Sequence, residues 1–206
     1  MRPLRVAIFA SGTGSNALAL IKRAQKLPQD KVEITFVLSD KAEAPVLEKA
    51  KSENVRAFLV SKTRDRRTHE QEILNIVREY QIDWIFLAGY MRLISESFLK
   101  TFADWHAGHA QIVNIHPSLL PQYPGVDSIA RAYNDKVSAS GVTLHLVDEG
   151  MDTGKVLVQK SLALPEGESL DGWTKKFHSL EHQVYGDFLE SLALGQVPSH
   201  SFQERK

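Results

Sequence analysis

Short runs of apolar residues alternate along the chain with segments whose apolar side chains recur at every third or fourth position. Continuous apolar runs predict strands buried on both faces, and the wider spacing predicts helices with one apolar side. The predicted strands cover 4–10, 32–40, 55–60, 83–88 and 110–116. A helical segment follows each of them, and this alternation favours a mostly parallel sheet with helices on both faces.

The last third of the chain departs from this alternation. Residues 140–150 and 155–164 form two consecutive apolar runs, which predict a closing pair of strands. Beyond Ser169 the spacing predicts one long helix. Its apolar stripe consists of Leu170, Trp173, Phe177, Leu180, Val184, Phe188 and Leu192. We therefore predict an α/β fold in one domain over residues 1–206: a doubly wound, Rossmann-like sheet of about seven strands, with an antiparallel strand towards the C-terminal side.

Composition and charge disfavour several classes of protein. The 206 residues carry 25 Lys and Arg against 25 Asp and Glu, a balance unlike that of a dedicated nucleic-acid binder. The chain has no cysteine, which excludes disulfides and thiolate metal sites. No stretch approaches the ~20 apolar residues of a membrane span, and the first apolar run is too short for a signal peptide. We expect a soluble, cytoplasmic protein that acts on small molecules, with no nucleic-acid or membrane partner.

A glycine loop, residues 10–17, joins the first predicted strand to the first helix. Unpaired N–H groups and the positive end of the helix dipole make such a turn attractive to a phosphate. The candidates for this contact are Gly14, Ser15 and Asn16. The G-x-G-x-x-A spacing also satisfies the relaxed dinucleotide fingerprint, and Asp40 ends the second strand where a ribose-binding acid is expected. A tight turn that binds nothing is the third interpretation.

Two polar side chains interrupt the apolar strand 110–116 near its end. Asn114 and His116 are two positions apart, so they project from one face of the sheet. Pro117 and the prolines after it restrict the backbone beyond them. An amide beside an imidazole suits acyl transfer, because the amide stabilises an oxyanion while the imidazole supplies a proton or a positive charge. A satisfied polar pair in the core is the alternative.

A second loop, residues 147–156, brings acids together among glycines: Asp148, Glu149 and Asp152. A carboxylate from this loop would orient His116 and favour its charged form. A calcium loop is the alternative, but the EF-hand spacing is not met. The other histidines show no metal-ligand spacing, so we predict no metal site and interpret most of them as surface or packing residues. They are His69, His106, His109, His145, His178, His182 and His200.

The fourth predicted strand ends in apolar residues that continue past a turn at Gly89. Met91, Leu93 and Ile94 then offer apolar surface beside Arg92. Core packing is the default for such residues, and a flat aromatic ligand against the adaptable methionine is the functional alternative.

Four segments, in this order and at these separations, closely resemble the phosphoribosylglycinamide formyltransferases of the folate-dependent formyltransferase superfamily: GTGSN, LAGYMRLI, NIHPSLLPQYPG and VDEGMDTG. The stretch NIHPSLLP is highly specific to the superfamily, whereas the glycine loop is not. The resemblance covers nearly the whole chain. It implies transfer of a formyl group from 10-formyltetrahydrofolate, a co-substrate, to the amino group of glycinamide ribonucleotide in purine (IMP) biosynthesis. It also implies that the enzyme holds no metal, no nicotinamide and no permanently bound cofactor.

The resemblance further implies roles for individual residues. The ribonucleotide would contact Gly14, Ser15, Asn16 and Glu181. The folate would contact Arg66, Met91, Arg92, Leu93, Ile94, Asn114 and Asp148, although Arg64 and Arg67 compete with Arg66 for that position. The catalytic trio would be Asn114, His116 and Asp152.

In the implied mechanism, Asn114 and protonated His116 stabilise an oxyanion, and Asp152 keeps His116 charged. Asp127 stands where the family commonly has histidine, and it is either a substrate contact or a helix N-cap. An NAD-dependent Rossmann oxidoreductase and a non-catalytic phosphosugar-binding module also explain the glycine loop, but they leave NIHPSLLP unexplained. A homodimer stays open, because no surface pattern in the sequence decides it.

Overall fold

A computed structural model describes residues 2–62, 65–165 and 167–196. Its strands are β1 Leu4–Phe9, β2 Val32–Ser39, β3 Arg56–Leu59, β4 Trp84–Leu87, β5 Ile112–His116, β6 Ala139–Leu146 and β7 Val156–Ala163. Its helices are α1 Ser15–Ala24, α2 Pro45–Ser52, α3 Arg66–Glu79, α4 Glu96–Asp104, α5 Ser128–Asn134 and α6 Leu170–Ala193. The predicted alternation of strands and helices is confirmed, with boundaries that differ by one to a few residues.

The seven strands form one sheet in the order β3-β2-β1-β4-β5-β6-β7. Strands β1 to β5 run parallel, and β6 is antiparallel to both of its neighbours. The chain fills the sheet on one side of β1 first and then crosses to β4 on the other side. Such a reversal opens a crevice beyond the carboxyl ends of the two central strands. The predicted fold class, including the antiparallel strand, is confirmed.

Two apolar layers cover the sheet, one on each face. Val6 and Ile8 of β1 pack in the layer that contains α1, α2 and α6. Ala7 and Phe9, the alternate residues, pack in the layer that contains α3 and α4. Successive side chains of a strand point to opposite faces, so a strand covered on both sides must be apolar throughout. This explains the continuous apolar runs of the sequence.

The long helix α6 is tied to the centre of the sheet by one buried hydroxyl. Tyr185 is fully buried, and its Oη donates to the carbonyl oxygen of Leu87 at 2.6 Å and lies 3.3 Å from that of Val113. These carbonyls belong to β4 and β5, whose carboxyl ends form the crevice. Helix α6 therefore sets the position of the side chains that it contributes to this end of the sheet. Within the described ranges, no helix combines the length and the apolar character needed to cross a membrane.

Candidate active site

A cavity of about 470 Å³ occupies the crevice at the carboxyl ends of β1, β4 and β5. Its wall contains twelve of the thirteen residues predicted from the sequence: Gly14, Ser15, Asn16, Met91, Arg92, Leu93, Ile94, Asn114, His116, Asp148, Asp152 and Glu181. These residues come from five separate parts of the chain and meet around one space. The remaining predicted residue, Arg66, is not in the wall.

The glycine loop turns sharply into α1. Gly14 has φ 76°, and a Cβ at this position would lie 2.3 Å from Cγ2 of Val46, so only glycine fits without strain. Helix α1 begins at Ser15 with no side-chain cap on its first N–H groups. Gly12 faces open space, with no atom within 4 Å of an added Cβ. The loop thus presents unpaired N–H groups beside an open approach, which suits an anion.

Two side chains outside the loop support it. Nζ of Lys49 donates to the carbonyl oxygen of Thr13 at 2.8 Å, which places a positive charge beside the loop that the sequence reasoning missed. On the cavity side, Nδ2 of Asn16 donates to Oε2 of Glu181 at 3.2 Å. Glu181 is buried, and burial raises its pKa to about 7 against the opposing hydrogen bond from Asn16. This contact uses one of the two amide hydrogens of Asn16, so its second amide hydrogen and its backbone N–H stay available to an anion.

The proline-rich loop after β5 is held by two neighbouring strands. Oγ1 of Thr143 donates to the carbonyl oxygen of Ser118 at 2.7 Å and accepts from the backbone N–H of Leu120 at 3.1 Å. Nε2 of Gln159 donates to the carbonyl oxygen of Leu120 at 2.8 Å. These contacts add to the restriction from the prolines, so the backbone just beyond His116 is fixed from several directions.

His116 lies between two hydrogen-bond acceptors. Its Nε2 is 2.7 Å from the carbonyl oxygen of Tyr123, and its Nδ1 is 3.2 Å from Oδ2 of Asp152. Burial is the largest influence on the pKa of His116 and lowers it, while the Tyr123 carbonyl and the Asp152 charge act in the opposite direction. Asp152 therefore favours the charged imidazole as expected, but burial outweighs its influence on the pKa of His116.

Asp152 accepts hydrogen bonds from the surrounding loops. Its Oδ2 accepts the N–H of Gly125 at 2.7 Å, and its Oδ1 lies 3.4 Å from Nδ2 of Asn114. Burial alone would raise the pKa of Asp152, but the contacts with His145, Gly125 and His116 together lower it. The carboxylate is therefore ionised at neutral pH, and it joins Asn114 and His116 as the resemblance implies.

His145 is the residue of this cluster that the sequence reasoning missed. We expected a surface or packing role, but the ring is 3% exposed and belongs to the cavity wall. Its Nε2 is 3.3 Å from Nδ2 of Asn114 and 3.5 Å from Oδ1 of Asp152. The alternation along β6 places Thr143 and His145 on one face, a signal that becomes informative only once β6 is known to pair with β5.

Arg66 lies behind the edge formed by residues 91–94 and does not reach the cavity wall. Its Nη2 donates to the carbonyl oxygen of Leu93 at 2.8 Å, and its Nε contacts Oε1 of Glu70 at 3.2 Å. Arg67 lines a shallow groove elsewhere on α3. Arg64 lies outside the described residues. Among the described residues, Arg92 is the one arginine in the cavity wall.

Two aspartates discriminate between interpretations of the sequence. Asp127 occupies the N-cap position of α5 with φ 56°, but its side chain makes no capping hydrogen bond and lies in the cavity wall. Asp127 is therefore the N-cap residue by position, as one interpretation predicts, but its side chain does not cap the helix. Asp40 is not in the cavity wall. Its Oδ1 accepts a hydrogen bond of 2.6 Å from Oγ of Ser11. That contact occupies the acid on which the dinucleotide interpretation depends.

A family model described as "Formyl transferase" matches residues 4–189. The chain belongs to this formyl transferase family. One relative in the family, phosphoribosylglycinamide formyltransferase of Bacillus subtilis (strain 168), is 35% identical over 91% of this chain and 94% of its own. The trifunctional purine biosynthetic protein adenosine-3 of Drosophila melanogaster is 34% identical over 94% of this chain, which spans 14% of that longer protein.

The fold of the family is also seen in solved structures. Glycinamide ribonucleotide transformylase 1 from Geobacillus kaustophilus superposes with a TM-score of 0.83 and is 41% identical, over 93% of this chain and 100% of its own.

Among the residues described, no group of three or more histidines and acids is arranged to hold a metal ion.

Proposed function

We propose that the protein is a phosphoribosylglycinamide formyltransferase, which transfers a formyl group to the amino group of glycinamide ribonucleotide in purine biosynthesis. The observation that carries this proposal is the meeting of Asn114, His116 and Asp152 in the same cavity wall as the open glycine loop. An oxyanion site and an anion site thus face one space, which suits a phosphorylated amine substrate and an acyl donor. We further propose 10-formyltetrahydrofolate as the co-substrate that supplies the formyl group.

The two substrates would lie at opposite ends of the cavity. The phosphate would accept hydrogen bonds from the backbone N–H groups at the start of α1. The flat ring of the folate would lie against the edge 91–94. The apolar side chains there are accessible, since Met91 is 61% exposed and Leu93 is 50% exposed. Arg66 would support this edge through the Leu93 carbonyl and not by contact with the folate.

Glu181 and Asn16 would receive the substrate amine between these ends. The amide oxygen of Asn16 is buried without a hydrogen-bond partner, and the Glu181 carboxylate lies beside it. A buried acceptor without a donor carries an energetic cost that an amine N–H relieves. An ammonium would also bind here, and ionised Glu181 would hold or accept its proton before the amine attacks.

The chemical step follows from this placement. The amine nitrogen attacks the formyl carbon, a new C–N bond forms, and the carbonyl oxygen becomes an oxyanion. The amide of Asn114 donates to this oxygen, and the imidazolium of His116 offsets its charge. The bond to the folate nitrogen then breaks, and that nitrogen takes up a proton in place of the one that the amine loses.

The low pKa of His116 fits this role. Burial favours the neutral ring, so the charged form is not stabilised before the reaction. A developing oxyanion nearby then favours the imidazolium, which forms when the ring takes up one proton from solvent. Its two N–H groups donate to Asp152 from Nδ1 and to the Tyr123 carbonyl from Nε2. An interaction that is stronger in the transition state than in the ground state accelerates the reaction.

The test is a spectrophotometric formyl-transfer assay with purified protein, 10-formyltetrahydrofolate and glycinamide ribonucleotide. We expect deformylated folate to appear only when both substrates are present. The unphosphorylated ribonucleoside is the matched control, and it should show a higher KM because it lacks the anion. A thermal-shift assay with NAD separates the alternative: stabilisation by NAD, without stabilisation by the ribonucleotide and without formyl transfer, would overturn the proposal.

The domain extent, the partners and the location of the protein are part of the same proposal. A single formyltransferase domain over residues 1–206 is supported by one continuous sheet and by the family match to residues 4–189. The partners are small-molecule substrates. A cytoplasmic location is supported by the cysteine-free composition, which is compatible with a reducing compartment.

A further inference from the structure

His145 lies opposite Asn114 in the register of the antiparallel pair β5 and β6. Directly paired residues of an antiparallel sheet project from the same face, close enough for their side chains to touch. The contact here is between Nε2 of His145 and Nδ2 of Asn114, at 3.3 Å. The pairing of the two strands thus places an imidazole beside the proposed oxyanion donor.

The backbone decides where the hydrogen sits on the His145 ring. Nδ1 lies 2.8 Å from the carbonyl oxygen of Leu146, which can only accept, so Nδ1 carries the hydrogen. In the neutral ring Nε2 then carries a lone pair and accepts one of the two amide hydrogens of Asn114. In the charged ring Nε2 carries a hydrogen and donates to Oδ1 of Asp152, the contact that lowers the pKa of that carboxyl. His116 has the opposite arrangement, because its Nε2 donates to the Tyr123 carbonyl.

This lone pair selects one orientation of the Asn114 amide. With Nδ2 towards the cluster, one hydrogen goes to His145 and the other to Oδ1 of Asp152, 3.4 Å away. The flipped amide would bring its oxygen against two acceptors, the His145 lone pair and the Asp152 carboxylate. Three acceptors together repel one another, so His145 and Asp152 jointly hold the nitrogen edge in place.

We propose that His145 is a positioning residue that anchors one amide hydrogen of Asn114 so that the other is delivered to the oxyanion. The hydrogen bond to Asp152 is the longer of the two, and a charged oxygen of the substrate would replace Asp152 as its acceptor. His145 then keeps the amide from rotating during the step. This inference rests on the proposed formyl transfer, in which Asn114 is the donor.

Two substitutions of His145 separate this role from a structural one. His145→Gln extends an amide to the position of Nε2 and preserves an acceptor for Asn114. His145→Asn is shorter and reproduces only the Nδ1 contact with the Leu146 carbonyl. We expect kcat to fall about 100-fold in His145→Asn with both KM values within about threefold of wild type, and to stay within about tenfold in His145→Gln. Activity in His145→Asn with loss in His145→Gln, or equal kcat values in both, would overturn the proposal.

A double-mutant cycle tests whether His145 acts through Asn114. In the Asn114→Ala background, His145→Asn should lower kcat by less than about threefold, because no amide remains to be positioned. A full 100-fold loss in that background would contradict the inference. Activity of the wild type is measured first: its absence refutes the proposed function, whereas an active wild type with an unaffected His145→Asn refutes only this inference.

A measurement on the wild-type protein does not depend on the folding of any variant. Nitrogen-15 NMR of the imidazole rings distinguishes the two neutral tautomers. We expect the Nδ1–H tautomer for His145 and the Nε2–H tautomer for neutral His116. An Nε2–H tautomer at His145 would overturn the inference, because Asn114 would then face a donor and not an acceptor.

Discussion

Ser11 and Asp40 form a hydrogen bond of 2.6 Å that joins the end of β1 to the end of β2. The same Ser11 hydroxyl accepts the backbone N–H of Met91 at 3.0 Å. It therefore fixes the first residue of the edge 91–94, on which the folate is proposed to lie. Ser11 is buried, so this N–H would have no ready replacement if the hydroxyl were removed.

Ser11→Ala should weaken the binding of formylfolate. A hydrogen bond lost from a half-buried N–H costs about 1–2 kcal/mol, which corresponds to a rise of about 5- to 30-fold in the KM for the folate. We expect kcat to stay within about threefold. Asp40→Asn, which keeps an oxygen to accept from Ser11, should have a smaller effect. Initial rates at varied concentrations of each substrate measure these values, and a rise confined to the ribonucleotide KM would contradict the prediction.

The proposed catalytic trio of Asn114, His116 and Asp152 yields a second prediction. His116→Ala and Asp152→Asn should each lower kcat by about 10²–10³ with smaller changes in either KM, because both remove charge stabilisation that develops in the transition state. The double variant should lose little more than the stronger single variant, since both act on the same imidazole.

Asp104→Asn is the matched control for the carboxylate change, because Asp104 is exposed at the end of α4. It should leave kcat unchanged. Formyl transfer within tenfold of wild type in both catalytic variants would remove His116 and Asp152 from the mechanism.

The sequence predicts the parts of this site that depend on local periodicity. The two-residue strand period places Asn114 and His116 on one face, and the rule that ligands bind beyond the carboxyl ends of parallel strands locates the crevice. His145 escaped this reasoning because its contact with Asn114 depends on the antiparallel register of β5 and β6. Local periodicity does not determine the register that pairs Asn114 with His145, 31 residues further along the chain.

Two other features also depended on tertiary structure. Arg66 is the first residue of α3, and the packing of this helix against the edge 91–94 turns its guanidinium towards the Leu93 carbonyl. The pKa of His116 depends on how deeply the ring is buried, which a nearby carboxylate in the sequence does not reveal.

The two glycines of the loop provide a matched pair of variants. Gly14→Ala should destabilise the protein by about 2 kcal/mol or more, because φ is 76° and the new Cβ would meet Val46. Gly12→Ala should leave the unfolding free energy within about 0.5 kcal/mol, since its Cβ would enter open space. If that space receives the phosphate, Gly12→Ala should still raise the KM for the ribonucleotide. Urea unfolding and steady-state kinetics measure the two effects, and equal destabilisation by both substitutions would contradict this account.

Glu181 makes stability depend on pH in a defined direction. Burial raises its pKa from the ordinary 4.5 to about 7 in the folded protein. Between these values the folded state holds a proton that the unfolded chain has released, so this residue lowers stability as the pH rises from about 4.5 to about 7. Above about pH 7 the penalty is constant, and a shift of this size corresponds to about 3 kcal/mol.

Glu181→Gln should therefore be more stable than wild type at pH 8, by on the order of 2–3 kcal/mol, with the difference shrinking towards pH 5. The new amide can also donate to the buried, unpaired oxygen of Asn16. Urea unfolding at pH 5, 6, 7 and 8 measures the difference, with Glu79→Gln as the control because Glu79 is exposed at the end of α3. The same variant removes the carboxylate that is proposed to accept from the substrate amine, so formyl transfer should fall while stability rises. A stability difference that is constant across this pH range would show that Glu181 ionises as it does in the unfolded chain.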